Sequence, residues 1–206
     1  MRSKGFLAAA LLGAFIAAEP LLSEAAKAKR SVAGIVLAVR GKPQVQDPTA
    51  SEPKRLDKGM MIREGDTLKT GKGDLLSLAL VGGPDLRINE DSTIDMESGG
   101  GRANAGLRIR SGQVWIRTLH GMSTMQVRSD FALCSVRASQ AELDVAVGER
   151  MTIKVYKGEV DVFNDKGRWR LGAGETAQVS SVDAVPSEPR ALTDEERGAW
   201  QKSLGK

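Results

Sequence analysis

Residues that commonly perform catalysis are scarce in this chain. His120 is the only imidazole and Cys134 the only thiol among 206 residues, which excludes metal sites built from several His and Cys ligands. His120 stands beside a glycine in "TLHGMS" without a partner motif, so we interpret it as a surface loop residue. Cys134, in "FALCSV", is predicted to face the core as a small hydrophobe. A Cys–His dyad would require the two to meet, and nothing in their spacing demands it.

Acidic residues are more numerous, and they concentrate in short turn-like segments. "NEDS" at residues 89–92 supplies oxygen atoms, and "GGPD" brings Asp85 near. A calcium loop would show alternating oxygen ligands followed by a bidentate Glu, and that spacing is absent. A glycosidase needs two facing carboxylates, so an acidic envelope hydrolase ranks last among the hypotheses. Turn stabilisation is the favoured role of these residues, and the sequence predicts no catalytic residue, no metal and no cofactor.

Tryptophans flanked by arginines are the better indication of binding. Arg108, Arg110 and Arg117 surround Trp115, and Trp169 stands between two arginines in "GRWRL". Trp and Arg on one sheet face stack on sugar rings or anchor a protein partner. The alternative is that a second sheet, or a C-terminal helix carrying Trp200, covers them. The predicted partner-binding residues are Trp115, Trp169, Arg108, Arg117, Arg168 and Arg170.

The elements that must position these residues read as short strands. From Val32 to Val179, runs of aliphatic and β-branched residues are broken by turn signals such as "GGPD", "NEDS", "NDKG" and "GAGE". No helical period and no alternation of strands with helices appears in this span. The prediction is an all-β fold, a multi-stranded antiparallel sandwich or roll of short strands. With one cysteine no internal disulfide can form, so a packed core must supply the stability.

One phrase occurs twice, as "LRIRSGQVWI" from Leu107 and "IKVYKGEVDV" from Ile153. Read as a hairpin with Ser111-Gly112 as its turn, the first phrase places Ile109 opposite Val114 and Arg108 opposite Trp115. Read in the same way, the second phrase has its turn at Lys157-Gly158 and places Lys154 opposite Asp161. The alternative is a β-arch, in which glycine lets the chain bend from one sheet layer into the next. In either case the fold reuses one structural corner.

The N-terminus has the three parts of a secretory signal. Arg2 and Lys4 precede an uncharged apolar run from Gly5 to Ala18, and small residues follow at 23–28. The run is short for a transmembrane helix, which needs about 20 residues. We predict a signal peptide over residues 1–28 and a periplasmic destination, and the alternative is an uncleaved membrane anchor. The net charge is +4, and basic and acidic residues are interspersed along the chain, so no nucleic-acid-binding arm is predicted.

Composition changes after Val182. Residues 31–182 are predicted to form the β domain, and "DAVPSEPRAL" at 183–192 reads as a linker. Thr193 and Glu196 form a capping box, which predicts a short C-terminal helix within residues 193–206. Leu192 and Trp200 are expected to dock that helix on the sheet or on a partner, because so short a helix is marginal alone.

A family resemblance rests on "IREGDTLKTGKGDLLSLALVGGPDLRINEDSTIDM", followed by "SGQVWI", "KGEVDVFN" and "LGAGETAQV". The order of these blocks resembles the FecR domain family over roughly Val32 to Val179. The family's later "G-T" pair falls here on Gln140-Ala141, which departs from the pattern. Structural roles are expected for the motif residues Gly65, Asp66, Thr70, Gly71, Gly112 and Gly158, through positive φ at glycine and turn capping by Asp.

The resemblance implies a role in signalling at the bacterial envelope. The family's regulator looks like an anti-sigma factor with a cytoplasmic segment and a periplasmic FecR domain. Only four residues precede the apolar run here, so the expectation is a stand-alone exported FecR domain that binds an envelope protein or glycan without catalysis. The alternative is an uncleaved, membrane-anchored accessory of a transmembrane sigma/anti-sigma system, in contact with a membrane only in that case. No nucleic-acid partner is expected.

Overall fold

In the computed structural model, all regular elements among the described residues are β-strands. The structure describes residues 30–97, 106–118, 125–136 and 142–197. The first eight strands are β1 Val32–Arg40, β2 Gln44–Gln46, β3 Lys54–Arg55, β4 Met61–Arg63, β5 Thr67–Lys69, β6 Leu75–Leu80, β7 Asp85–Ile88 and β8 Thr93–Glu97. The others are β9 Gly106–Arg117, β10 Met125–Arg128, β11 Leu133–Val136, β12 Glu142–Val147, β13 Met151–Lys157, β14 Val160–Phe163, β15 Arg168–Leu171, β16 Glu175–Val179 and β17 Arg190–Ala191.

These strands form two layers that share β9. Sheet A has the order β4-β1-β6-β7-β9-β12-β13-β16-β17. Sheet B has the order β3-β2-β5-β8-β9-β10-β11-β14-β15. The predicted all-β fold is confirmed, but the topology is mixed, because β10 pairs with β9 in parallel. All the other strand pairings of the described residues are antiparallel.

Both copies of the repeated phrase are corners between the layers, so the hairpin prediction is wrong. Ile109 pairs with Ile94 of β8 in sheet B, whereas Val114 pairs with β7 and β12 in sheet A. Between them the chain bends at Gly112, which has a φ of 93°. The second phrase bends at Gly158 (φ 73°), which separates β13 in sheet A from β14 in sheet B. The β-arch alternative describes both segments.

The cross-strand pairs predicted for the polar face of each hairpin are not formed, for the same reason. Arg108 lies opposite Asp95 rather than Trp115, and Lys154 lies opposite Asp144 and Thr176 rather than Asp161. The predicted apolar face survives, because side chains alternate along a strand whichever neighbour it pairs with. The buried side chains on this apolar face are Leu107, Ile109, Val114, Ile116, Ile153, Val155, Val160 and Val162.

One apolar core lies between the two layers. Inward side chains of both sheets contribute to it, for example Ile94 and Leu107 from sheet B and Leu86 and Val145 from sheet A. Along β8 and β13 the burial alternates residue by residue, as expected of strands with one face on the core. Cys134 is fully buried in this core, as its sequence context predicts.

The chain after β16 folds back along the edge of sheet A. Ser187 donates its backbone N–H to Gln178, and β17 pairs with β16, so residues 184–191 follow that strand. Leu192 is buried, while its backbone N–H bonds to the carbonyl of Gly174. The predicted linker segment therefore contacts the domain along its length.

The predicted C-terminal helix is not present in the described residues. Thr193 and Glu196 make the reciprocal hydrogen bonds of the capping box, at 3.3 and 3.0 Å. However, residues 194–197 form only a turn, and residues 198–206, with Trp200, lie outside the described residues. Glu196 instead forms a two-pronged ion pair with Arg190, which fixes the turn against β17. The predicted signal segment also lies outside the described ranges, in which no helix of a length and composition able to cross a membrane occurs.

Candidate functional site

An open cleft lies at one end of sheet B, where two turns meet. The β10–β11 turn and the β14–β15 turn form its sides, and Val182 closes it from the C-terminal segment. Its volume is about 480 Å³. We call it the Phe163 cleft, and its lining is Arg128, Ser129, Asp130, Phe131, Ala132, Leu133, Phe163, Asn164, Asp165 and Val182.

Asn164 holds the walls of the Phe163 cleft together. Its side-chain amide donates to the backbone carbonyls of Phe131 (3.2 Å) and Ala184 (2.8 Å). Its side-chain oxygen accepts from the backbone N–H groups of Lys166 and Gly167. On the other wall, the Ser129 hydroxyl accepts from the backbone of Phe131, an ordinary Ser turn. These bonds link three chain segments, so the cleft is formed before any ligand arrives.

A row of outward side chains leads from the middle of sheet B into the cleft. Cross-strand register places Arg108 beside Arg128, Arg128 beside Leu133, and Leu133 beside Phe163. Phe163 in turn lies opposite Arg168 on the edge strand β15, whose guanidinium carbon is 4.8 Å from the Phe163 ring centre. Such stacking of a cation on an aromatic face contributes about 0.5–1 kcal/mol at exposed sites. The row combines two apolar side chains with three arginines.

The arginines of this region differ in how their charge is balanced. Arg108 pairs with Asp130, and Arg128 lies 3.5 Å from a carboxylate oxygen of Glu97. Arg170 donates to Asp161 at 2.9 Å, and this hydrogen bond raises the pKa of the Arg170 guanidinium above its usual value. Arg168 contacts the Phe163 ring and has no carboxylate within ion-pair distance among the described residues. Arg168 therefore places a positive charge beside Phe163, while Asp130 and Asp165 bring negative charge to the lining of the cleft.

The six predicted partner-binding residues do not form one surface. Trp115 and Arg117 lie on the outer face of sheet A, whereas Arg108, Arg168 and Arg170 lie on the outer face of sheet B, across the core. Trp115 is only 4% exposed, with the guanidinium carbons of Arg87 and Arg117 at 5.0 and 5.6 Å from its ring centre. Trp115 is therefore covered rather than exposed, and the two arginines contact its ring.

Trp169 has the opposite environment. It lies opposite Val162 on edge strand β15, so it belongs to the core-facing side, but it is 37% exposed because no further strand of sheet B lies beside it among the described residues. Of the two tryptophans, only Trp169 is available to a partner. The residue before it in the chain, Arg168, contacts the Phe163 ring in the cleft.

Among the described residues, the side chains that commonly take part in catalysis or bind metals can be located individually. Burial raises the pKa of the Cys134 thiol to about 12, so it is neither ionised nor accessible at neutral pH. Within the described ranges no group of three or more His, Cys, Asp or Glu side chains is placed to hold a metal ion. His120 lies outside the described residues.

Motif residues of the sequence blocks lie at corners between the layers. Gly65 has a φ of 85°, and the buried Asp66 accepts a backbone hydrogen bond from Arg63 (2.8 Å) and a side-chain bond from Arg30 (2.5 Å). The Thr70 hydroxyl accepts from the backbone of Ser92 at 2.9 Å. Gly71 donates its N–H to Asp74 at the next corner. These contacts are structural.

Sequence reasoning missed most of the Phe163 cleft. Phe131, Leu133 and Phe163 are ordinary apolar residues of short strands or turns, and only the pairing of β11 with β14 brings them together. It also missed an exposed apolar patch on the outer face of sheet A. The members of that patch are Ile35, Leu37, Met61 and Val81, at 41–58% exposure. No local signal distinguishes these residues from core positions.

Comparisons with known proteins give one family match and two similar folds. Residues 66–161 match the model of a family described as FecR protein. Two crystal structures of a protein described as a candidate anti-sigma factor from Parabacteroides distasonis ATCC 8503 have similar folds, each with a TM-score of 0.56 and 16% or 15% identity. Each match covers 66% of this chain and 64% or 63% of the other, less than two thirds of its length. No curated protein sequence matches the chain.

Proposed function

We propose that the protein is a non-catalytic recognition module of an envelope signalling system, because residues 66–161 match the family model described as FecR protein. It acts in the periplasm and binds a protein partner through the Phe163 cleft and the adjoining side chains of β15. The observation that carries this proposal is the preformed cleft itself, in which the apolar side chains of Phe131, Leu133 and Phe163 lie among Arg128, Asp130 and Asp165, with Arg168 stacked on the Phe163 ring. Arginine and aromatic residues are the types that dominate the energy of protein interfaces.

The regulatory role is supported by the family match and by the fold likeness to the anti-sigma factor structures. A partner side chain that enters the cleft would contact Phe131, Leu133 and Phe163, while an acidic group beside it would meet Arg168. Burial of a single large side chain in such a pocket contributes about 1.5–3 kcal/mol, which is enough to make the cleft the centre of an interface.

Cross-linking in the intact envelope tests the proposal. Tagged protein is expressed in its own host, cross-linked and captured, and the attached envelope proteins are identified by mass spectrometry. The double variant Phe163→Ala with Trp169→Ala is expected to lose the specific partner at least tenfold. The matched control is Met61→Ala, which removes an exposed apolar side chain at 58% exposure from the other layer.

Comparison of the two variants distinguishes the Phe163 cleft from the apolar patch on sheet A. If Met61→Ala loses the partner and the double variant retains it, the patch on sheet A is the interface and the Phe163 cleft is not. Melting temperatures within about 4 °C of the parent show that the variants are folded. Recovery of glycan fragments in place of a protein would reject a protein partner.

Export is tested separately. Cell fractionation with intact-mass measurement is expected to find the mature protein in the periplasm, with its N-terminus near Lys29. A retained N-terminal segment in the membrane fraction would replace this proposal with the membrane-anchored accessory.

A further inference from the structure

Sheet A extends one strand further than sheet B at the end that carries Trp169. A short corner at residues 172–174 joins β15 to β16, so these two strands face each other across the layers. Sheet A then continues with β17 beyond β16, whereas β15 is the last strand of sheet B. The position beneath β17 and beside β15 has no strand in the described residues.

Two observations show that this position has the form of a strand site. β15 has four residues, more than the other outermost strands β3, β4 and β17, and contains no proline. Its first three residues are exposed. Natural proteins shorten, cover or bend exposed edges because such edges pair with other chains. β15 has two arginines, which discourage pairing with an unselected chain, but it also exposes a tryptophan on its core-facing side.

The C-terminal segment bounds the position without filling it. Val185 packs on Gly167 at the start of β15, where a β-carbon built on Gly167 would lie 2.7 Å from the Val185 side chain. Pro186 is buried, and residues 187–191 continue along β16 in sheet A. Among the described residues, β14 is therefore the strand that pairs with β15, and no strand pairs with its other edge.

Side-chain alternation along β15 defines the chemistry of an added strand. Arg168 and Arg170 lie on the outer face, where Arg170 also donates to Asp161, and Trp169 between them lies on the core-facing side. Residues opposite one another in paired strands point to the same face. A strand paired with β15 would therefore place two alternate residues beside the two arginines and the residue between them beside Trp169.

We propose that the free edge of β15 binds an extended segment of a partner protein in which two acidic residues flank one apolar residue. The segment adds a tenth strand to sheet B, with main-chain hydrogen bonds for affinity and the Arg-Trp-Arg alternation for specificity. This inference rests on the proposed recognition function and adds the class of ligand.

A defined peptide tests the inference with the full chain. The probe is a fluorescein-labelled peptide of sequence Thr-Glu-Val-Glu-Thr-Gly, with the scrambled peptide Glu-Glu-Val-Thr-Thr-Gly as the matched comparison. Fluorescence anisotropy is expected to show binding of the first peptide at least tenfold tighter than the second. Arg168→Glu is expected to weaken binding at least tenfold, and Arg55→Glu on β3, at the opposite edge of sheet B, to leave it within twofold.

Amide hydrogen exchange locates the peptide. Backbone N–H groups of residues 168–171 that exchange freely in the protein alone are expected to slow at least tenfold with the peptide bound. Equal binding of both peptides, equal loss in the two charge variants, or unchanged exchange in β15 would each overturn the inference. So would slow exchange of all four amides before peptide is added, since the edge would then be occupied. If the peptide does not bind as expected but the Phe163→Ala/Trp169→Ala variant loses its partner in the cross-linking experiment, the inference about β15 is wrong. The proposed function is still supported in that case.

Discussion

Ser92 occupies the space beside the α-carbon of Gly112. A β-carbon built on Gly112 would lie 2.1 Å from the Ser92 hydroxyl oxygen and 2.4 Å from its α-carbon, and the same hydroxyl accepts a hydrogen bond from the backbone of Gln113 at 3.0 Å. The corner before β8 and the bend in β9 are thus packed backbone to backbone. This contact explains why a glycine stands in the middle of the longest strand.

Gly112→Ala is predicted to destabilise the protein by about 2–4 kcal/mol. The left-handed backbone at φ 93° costs a side chain about 1–2 kcal/mol, and displacement of Ser92 adds to that cost. Urea unfolding measures the change. Gly148→Ala is the control, because nothing lies within 4 Å of its added methyl group, and its effect should stay within about 0.5 kcal/mol. Equal effects at both positions would contradict the explanation that Ser92 and the positive φ require glycine at position 112.

The two tryptophans are predicted to respond differently to truncation. Trp115→Ala removes a buried ring that contacts two arginines, so the free energy of unfolding should fall by about 3–5 kcal/mol. Trp169→Ala removes a partly exposed ring at a sheet edge, and a loss of about 1 kcal/mol is expected. Denaturation monitored by circular dichroism compares the variants. A larger loss for Trp169→Ala would mean that β15 holds the fold together.

The Cys134 thiol is predicted to be inert in the folded protein. Burial raises its pKa to about 12, and reaction with a disulfide reagent requires the accessible thiolate. At pH 8, labelling by Ellman's reagent should follow the unfolding curve in urea, with less than one tenth of the thiol modified without denaturant. Cys134→Ala gives the background signal. Rapid full labelling of the native protein would show that β11 opens readily.

The Arg190–Glu196 turn is predicted to lose its stabilising effect in acid. Hydrogen bonds from Arg190 and Thr193 lower the pKa of Glu196 from 4.5 to about 2. A carboxylate whose pKa is lowered by folding contributes stability above its unfolded pKa, and the contribution disappears as pH falls through the folded value. The stability difference between the parent and Glu196→Gln should therefore be constant above pH 5 and shrink towards zero between pH 4.5 and about 2.

Carboxyl titration followed by NMR supplies the direct check on Glu196. Glu149→Gln, at an exposed turn, is the control for loss of a charge, and it should leave the Glu196 titration unchanged. A stability difference that does not vary between pH 5 and 2 would show that the ion pair contributes nothing in solution.

Much of the fold could be read from local sequence. Alternating apolar residues fixed the inward face of β8, β9 and β13 whichever strands they paired with, and the glycine and Asp-rich segments marked the corners. The capping-box hydrogen bonds between Thr193 and Glu196 were also predictable. Residues 194–197 form a turn in which Arg190 on β17 holds the Glu196 carboxylate, and the rest of the predicted helix lies outside the described residues.

The candidate site could be predicted only in part. Arg168 and Trp169 were identified because arginines flank the tryptophan, but they were expected on one sheet face, and alternation along β15 places them on opposite faces. Trp115 has the same kind of neighbours in sequence, yet it is covered, and Phe163 and Leu133 carried no signal at all. Their roles depend on which strands become neighbours.

The amino-acid sequence by itself determined that the chain forms short strands, that these strands bury one face, and that glycine allows the bends between them. Those properties depend on residues within a few positions of each other. Only the tertiary structure decided that the repeated phrases cross between layers, that Leu133 meets Phe163, and that sheet B ends at β15. These outcomes depend on pairing between distant segments, and a pattern that repeats every two residues is equally compatible with a hairpin and with a β-arch.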